Sequence, residues 1–401
     1  MKNIELKPLI NYCNMISRGI TPKYTDHNSI WVINQKCIRE NRVSFTEARF
    51  HDGKNKTVLE QKFVKKWDVL VNSTGTGTLG RTAQYKNELK NVTVDSHVTI
   101  VRPAEQIYPA FLGYALQYRQ PNIEALAEGS TGQTELSRMR LGEEITIPDF
   151  NIAEQMRIAD TLSALDARID TNKQINHNLE EQAKAIFKSW FVDFEPFKDG
   201  KFVDSEFGKI PEGWQIGKLS DIANVTMGQS PKGDTYNEEA QGTVFYQGRA
   251  EFSDRFPQRR LFTTDPKRMA VTGDVLLSVR APVGDMNIAN ENCCIGRGLA
   301  AIHAKDGCLS FVFYTMNSIR GELNKYNGEG TVFGCINKDA LNAQKVILPP
   351  MKVVYDFEKI VAPLDRLYLI GVEENVRLAA LRDTLLPKLM SGEIDVSEVT
   401  V

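Results

Sequence analysis

The stretch whose residue types come nearest to recognisable chemistry is Gly75-Thr76-Gly77-Thr78-Leu79-Gly80-Arg81-Thr82. It satisfies GxGxxG and comes close to GxxxxGK[ST], two patterns in which backbone N–H groups cradle phosphate. The first needs a helix to open at once, and the second needs a lysine where Arg81 stands. A glycine and threonine loop beside an arginine also suits the backbone of DNA, which is met by N–H and guanidinium donors. An enzyme that binds a nucleotide on this loop is therefore the rival to a DNA reader, and equilibrium binding of ATP or NAD discriminates between them.

Other donors cluster in turn-like segments. Arg18, Lys23 and Tyr24 surround Gly19-Ile20-Thr21-Pro22, Lys232 and Tyr236 follow Gly228-Gln229-Ser230-Pro231, and Arg249, Arg255, Arg259 and Arg260 share one run. With Thr76, Arg81, Gln133, Arg280 and Arg297 they make, Arg260 apart, the candidate DNA-contacting set, since Arg, Gln and Tyr reach both base edges and phosphates. Phe252, Phe256 and Phe262 in the same run read as core. Catalytic patterns are missing from the sequence: it has neither spaced carboxylates with a lysine nor an Asn-Pro-Pro-aromatic string, and Leu348-Pro349-Pro350-Met351 lacks the asparagine. Six cysteines without a CxxC pair and five scattered histidines support neither disulfides nor zinc. No catalytic, cofactor-binding or metal-binding residue is therefore expected.

These loops must be positioned by something, and two long helices stand out. Apolar residues recur at steps of four and three through Ile158, Leu162, Leu165, Ile169, then Leu179, Ala183, Ile186 and Trp190, with Asn172 and Asn176 in the same register. The pattern returns 199 residues later as Phe357, Val361, Leu364, Tyr368, Gly371, Asn375, Leu378, Arg382, Leu385 and Leu389, which places Asn375 at the step of Asn176. A polar residue in an apolar seam fixes alignment at a cost in stability. The two helices are read as an intramolecular coiled-coil pair whose seam runs through Leu162, Leu165, Ile169, Asn176, Leu179 and Ile186 on one side and Leu364, Tyr368, Asn375, Leu378 and Leu385 on the other. Glu180, Glu181, Glu373 and Glu374 lie on the solvated face.

At 401 residues, with 42% hydrophobic and 25% charged content, the chain reads as a multidomain folded protein. The expected organisation is a mixed α/β domain over residues 1–150, a long helix over 151–195, a linker over 196–213, a second such domain over 214–350 and a closing helix with tail over 351–401. The two domains are duplicates. Besides the Gly-x-x-Pro turns, Asp68-Val69-Leu70-Val71 answers to Asp274-Val275-Leu276-Leu277, Phe111-Leu112-Gly113-Tyr114 to Phe311-Val312-Phe313-Tyr314, and Ile147-Pro148 to Leu348-Pro349. No run of eighteen apolar residues and no signal-peptide pattern appears, so a cytoplasmic location is expected. A formal net charge of −2 is low for a protein gripping DNA alone, so partners are expected to share that grip. A coiled-coil scaffold that binds only protein is the second rival, and it predicts no DNA sequence selectivity.

The stretch IPDFNIAEQMRIADTLSALDARIDTNKQINHNLEEQAKAIFKSWFVDFEPF from Ile147 to Phe197, Ile210-Pro211-Glu212-Gly213-Trp214, and LRDTLLPKLMSGEI from Leu381 to Ile394 resemble the specificity subunits of Type I restriction-modification systems. The loops Gly129-Ser130-Thr131-Gly132-Gln133 and Gly330-Thr331-Val332-Phe333-Gly334 are also typical of that family. The resemblance spans essentially the whole chain, although Met1 to Pro8 is too short to match the IPEGW entry of the second copy. It implies two target recognition domains, each reading half of a split double-stranded DNA sequence, held apart by an antiparallel helix pair. It also implies two methyltransferase subunits docked on the chain, motor-nuclease subunits in a larger complex, and S-adenosylmethionine, ATP and Mg on those partners only. About 35 helical residues at roughly 1.5 Å each span on the order of 50 Å, which suits half-sites about one DNA turn apart.

Overall fold

The computed structural model describes residues 4–27, 29–129, 134–328 and 334–396. The chain forms two compact units, residues 1–172 with 373–401 and residues 173–372, so both long helices contribute to both units.

The principal strands of the first unit are β1 (Cys13–Arg18), β2 (Tyr24–Thr25), β3 (Ile30–Ile33), β4 (Arg49–His51), β5 (Val69–Asn72), β6 (Thr82–Gln84), β7 (Val92–Val94) and β8 (Val98–Pro103). Helix α1 (Pro109–Tyr118) and the long helix α2 (Ile152–Phe191) follow. One sheet has the order β1-β8-β5-β6 and is antiparallel; the other has the order β7-β3-β4-β2, with β7 and β3 parallel. β5 is buried on both faces, as its unbroken apolar run requires. Val69 and Val71 pack with Phe111, Ile158 and Leu162 of α1 and α2, while Leu70 turns to Ile33, Val92 and Ile100. The first sheet is thus a middle layer between helices and the second sheet. Leu386, Leu389 and Met390, near the end of the second long helix, belong to the same helical core.

The second unit repeats this plan with β9 (Ala223–Met227), β10 (Tyr236–Asn237), β11 (Thr243–Tyr246), β12 (Leu261–Thr263), β13 (Met269–Ala270), β14 (Val275–Ser278), β15 (Met286–Ile288), β16 (Cys293–Ile295), β17 (Leu299–Ala304), α3 (Leu309–Ser318) and the long helix α4 (Met351–Met390). Its sheets run β9-β17-β14-β15 and β10-β12-β11-β16-β13, with β11 and β16 parallel. Val275 and Leu277 face the helices and Leu276 faces the other sheet, the same alternation as in β5. The repeated turns share a physical cause. A Cβ on Gly19 would lie 2.0 Å from the Val94 carbonyl oxygen, and one on Gly228 would lie 2.1 Å from that of Gly296, so only glycine fits. The repeated aspartates are both buried. Asp68 accepts from Arg102 Nη2 at 2.7 Å, and Asp274 lies 2.7 Å from His303 Nδ1 at the matching place. Burial still raises the Asp68 carboxyl above its ordinary range despite that arginine.

Residues 196–213, read as a linker, hold an antiparallel hairpin of Phe202–Ser205 with Gly208–Pro211. Pro211 tolerates this place because the two-stranded ribbon leaves its missing N–H on an edge. Trp214 is buried beside it, with its ring centroid 5.8 Å from that of Phe191 and 5.0 Å from that of Phe197.

A reciprocal cap starts α2: Glu154 N donates to Asn151 Oδ1 at 3.0 Å, and Asn151 N donates to Glu154 Oε2 at 3.2 Å. In the first unit α2 and α4 run antiparallel, with Asp166 bonded to Arg382 at 2.8 Å and Asn172 Nδ2 donating to Glu374 at 2.9 Å and to Asn375 Oδ1 at 3.0 Å. In the second unit Asn176 Nδ2 donates to the Tyr368 carbonyl at 3.1 Å, and Asn176 faces Gly371. Each asparagine of the matched pair therefore meets the residue equivalent to the other's partner, Asn375 meeting Asn172 where Asn176 meets Gly371. Among the seam residues, Leu162, Ile169, Asn176 and Tyr368 are buried, while Leu165, Leu179, Ile186, Leu364, Asn375, Leu378 and Leu385 are half-buried. Toward the end of α2 the buried stripe moves one residue on, from Ile186 and Trp190 to Phe187 and Phe191. There the helix packs on α3 as well as α4: Phe187 is 6.5 Å from Phe311 and 5.9 Å from Phe357 between ring centroids.

The Asn176 contact generates a test. A Cβ at Gly371 would sit 2.5 Å from Asn176 Oδ1, whose amide is committed to Tyr368. Gly371→Ala gains up to about 1 kcal/mol of helix propensity only where that contact is gone. Chemical denaturation of Asn176→Ala, Gly371→Ala and the double variant should show Gly371→Ala stabilising the Asn176→Ala background and failing to stabilise the parent. Equal effects in both backgrounds would rule out the contact.

Candidate nucleic-acid interface

The Gly75–Thr82 loop leads into strand β6 and not into a helix. Gly75, Gly77 and Gly80 adopt φ of 98°, 72° and 85°, a tight turn closed by Leu79 N donating to the Gly75 carbonyl at 3.0 Å. Without a helix N-terminus the arrangement of a dinucleotide site is not formed, and Arg81 turns back to donate to the Gly77 carbonyl at 2.7 Å. Thr76 is exposed at the turn.

The loops of each unit gather at the ends of the middle strands, and the two rims share a backbone. In the first unit Asp95 N donates to Ile33 O at 3.0 Å, Ser73 N donates to His97 O at 2.8 Å, and Thr74 bridges to Glu135. In the second, Gly296 N donates to Tyr246 O at 2.8 Å, Val279 N donates to Gly298 O at 2.9 Å, and Arg280 bridges to Cys335. Thr74 therefore corresponds to Arg280 and His97 to Gly298. A one-turn helix follows β3 and β11 alike, and its first residue is Gln35 in one unit and Arg249 in the other.

At the first rim Thr74 Oγ1 lies 2.8 Å from His97 Nδ1 and 3.4 Å from Gln35 Oε1. Arg18 is pinned by Glu135, at 2.5 Å, and by the Leu136 carbonyl, at 2.7 Å. Lys23 is exposed near Asp52, and Tyr24 lies under Arg49, whose guanidinium carbon is 3.6 Å from the ring centroid. Gln133 falls outside the described residues.

At the second rim a groove of about 310 Å³ is lined by Gln247, Arg249, Arg260, Ser278, Arg280 and Gly298. It brings together Arg249 and Arg280 from the sequence-derived set. Asp285 accepts from Arg249 and, at 2.5 Å, from Arg320; buried Glu251 takes Arg260 at 2.5 Å. Lys232, Arg280 and Arg297 are exposed, Arg259 pairs with Glu291, and Tyr236 bonds the Pro231 carbonyl at 3.1 Å.

Arg255 is a correction to the DNA-contacting set. It is 3% exposed, bonds Asp365 at 2.6 Å, and its guanidinium carbon lies 4.7 Å from the ring centroids of both Phe313 and Tyr368. Burial works against its charge, yet Asp365 and Tyr314 leave its pKa raised. Sequence cannot separate it from Arg259, four residues on, because both sit in one basic run. Gln35, His97 and Gln247 were missed for the opposite reason: single polar residues at strand ends carry no spacing signal.

Each recognition layer is fastened to α2 or α4 by a tyrosine. Tyr114 Oη donates to Asp166 at 2.6 Å and Tyr314 Oη donates to Asp365 at 2.9 Å. Burial, reinforced by the aspartate, pushes both phenols well up and keeps the donor proton in place. A cavity of about 780 Å³ in the second unit has Phe187, Phe191, Phe311 and Ile347 on one part of its wall and Lys325 and Lys345 on another. No group of three or more His, Cys, Asp or Glu residues able to hold a metal occurs among the described residues, and no helix there is long and apolar enough to cross a membrane.

The family model for the Type I restriction modification DNA specificity domain matches twice, over residues 15–181 and 211–379. A Methanocaldococcus jannaschii protein assigned as the specificity subunit of the MjaX type I restriction enzyme is 31% identical over 403 residues, covering 98% of this chain and 94% of its own. The specificity subunit of the MjaIX enzyme of the same organism is 27% identical over 366 residues, covering 85% and 82%. In fold the chain is similar to the crystal structure of the S subunit from M. genitalium, with a TM-score of 0.62, 18% identity and 97% of each chain covered. The chain belongs to the Type I restriction-modification DNA specificity family. Its function is that of a specificity subunit carrying two recognition domains.

The buried and exposed arginines should separate in experiment. Arg255→Ala removes the cation paired with half-buried Asp365, leaving Tyr314 as its donor, and should lower the unfolding free energy by about 3 kcal/mol, whereas Arg259→Ala should stay within about 0.5 kcal/mol. Denaturant titration of both variants checks this, and equal small effects would return Arg255 to the surface set.

Proposed function

We propose that the chain reads a split DNA sequence, one half with each unit, and directs the methylation of adenine and the cleavage carried out by partner subunits. It contributes no catalysis itself; S-adenosylmethionine, ATP and Mg belong to two methyltransferase subunits and to the motor-nuclease subunits, in a cytoplasmic complex. The observation that carries this reading is the twice-built rim: one backbone arrangement, with Gln35, Thr74 and His97 in one copy and Arg249, Arg280 and Gly298 in the other. A fixed scaffold with changed side chains is what two readers of different sequences need. Lys23, Tyr24, Thr76, Arg81, Lys232, Tyr236, Arg259 and Arg297 then supply outlying contacts, mainly to phosphates.

Replacing residues 1–150 by the matching domain of a relative should change one half of the methylated target and leave the other intact. Sequencing of methylated DNA from cells that hold the complex reads this directly. A chimera that alters both halves together is inconsistent with separate readers.

The helices are proposed as the ruler. α2 and α4 are each 40 residues without interruption, or about 60 Å at roughly 1.5 Å per residue. Four residues inserted in α2 between Asp170 and Asn172, with four more in α4 beside Arg377, add about 6 Å. The methylated spacer should lengthen by one or two base pairs with both half-sites unchanged. Methylation restricted to the parental spacing on a library of spacers would remove the helices from that role.

A further inference from the structure

We propose that the matched trios at the two rims each read one base pair, the first reading an adenine through Gln35 and the second a guanine through Arg280. The inference rests on the DNA-reading function above and assigns it to particular side chains.

Hydrogen bonds hold the backbone at the first rim. The Gln35 carbonyl accepts from Asn72 Nδ2 at 3.0 Å, and the preceding Asn34 caps the turn through Lys36 N at 2.8 Å. Its carboxamide lies against Gly75, where a Cβ would come within 2.7 Å of Oε1. The group is therefore held at the floor of the rim, beside Thr74 and exposed His97, with an amide that can donate and accept. Those two functions together match N7 and the N6 amino group of adenine in the major groove.

In the second copy the same three places carry other chemistry. Arg249 is held by Asp285, which removes it from the centre. Arg280 is exposed, and its carbonyl is fixed by Ser278 Oγ at 3.0 Å. Gly298 replaces the imidazole of His97, so the floor opens into the 310 Å³ groove. Gln247 is locked from below, since a Cβ on Gly296 or Gly298 would come within 2.7 or 3.0 Å of its carbonyl oxygen. An open floor admits a base edge, and the planar fork of a guanidinium fits O6 and N7 of guanine with two parallel bonds. A phosphate would need only the charge.

Lysine separates those two roles, because it keeps the charge and loses the fork. The chain is expressed with its methyltransferase partner as wild type, Arg280→Lys, Arg280→Ala, Gln35→Ala and Gln35→Glu, and each complex is tested for methylation on a randomised target library. Both Arg280 variants should lose guanine discrimination about tenfold or more at one position of one half-site, with the other half-site unchanged. Both Gln35 variants should do the same for an adenine in the opposite half-site. The proposal is overturned if Arg280→Lys keeps the parental motif, if Arg280→Ala weakens all sequences equally, or if Gln35→Ala leaves its half-site intact. A variant complex that does not assemble is read through its conservative counterpart, and retention of the parental motif by that counterpart counts against the proposal. A wild-type complex without any sequence selectivity would instead sink the function proposed above, which keeps the two failures apart.

Discussion

Everything that a reading loop can do in this protein depends on the loop being held against a long helix, and in both units a partly buried hydrogen bond from a tyrosine to an aspartate makes that connection. Tyr114 to Asp166 and Tyr314 to Asp365 occupy matching places. A neutral phenol donating to a carboxylate in a desolvated setting is a strong bond and an expensive one to break, because the carboxylate would be left half-buried and short of a donor. Around it the two units solve the remaining charge differently. Asp166 takes its cation from the neighbouring long helix, Arg382, and Asp365 takes its cation from a loop of the recognition layer, Arg255. The first unit thereby ties helix to helix at this point, and the second ties helix to loop.

Duplication followed by divergence is visible at the level of single contacts. Positions that carry the backbone are nearly invariant between copies: Gly19 and Gly228 admit a carbonyl where no Cβ fits, and Asp68 and Asp274 are buried at the start of equivalent strands. Positions that face outward have exchanged type, as in Thr74 and Arg280, or His97 and Gly298. The helices show the same division. Asn172 and Asn375 bond to each other, whereas the equivalent pair is Gly371 and Asn176, so one asparagine finds a side chain and the other a backbone carbonyl at Tyr368. Hydrogen bonds from Arg168 and then Asn172 lower the Glu374 carboxyl pKa from its ordinary value.

Much of the fold was legible because it rests on periodicity and on residues with single physical uses. The helical stripe through Ile158, Leu162 and Ile169, the doubly buried runs of β5 and β14, and the repeated Gly-x-x-Pro turns all follow from pattern. The stripe failed where a third partner arrived. Past Ala183 the helix meets α3, and the buried side chains become Phe187 and Phe191 in place of Ile186 and Trp190, a shift no two-helix pattern contains. The hairpin at 202–211 was hidden by Pro211, which a strand edge tolerates, and by Pro196, which stands in a turn before it. Among site residues, basic runs drew the eye to Arg255, whose partner Asp365 lies 110 residues away in sequence, and isolated polar residues such as Gln35 and Gln247 gave no sign of their placement.

The makeup of the first unit has a consequence for the order of biosynthesis. Its helical core contains Leu9, Phe111 and Leu162 from the early part of the chain, but also Leu386, Leu389, Met390 and Val396 from the last part. The second unit, residues 173–372, is continuous. On a ribosome adding about 5–20 residues per second, the first domain to emerge waits some tens of seconds for the residues that close its core, while the domain made after it has all it needs. During that interval the apolar face of the first domain is uncovered, so the domain synthesised first is completed last.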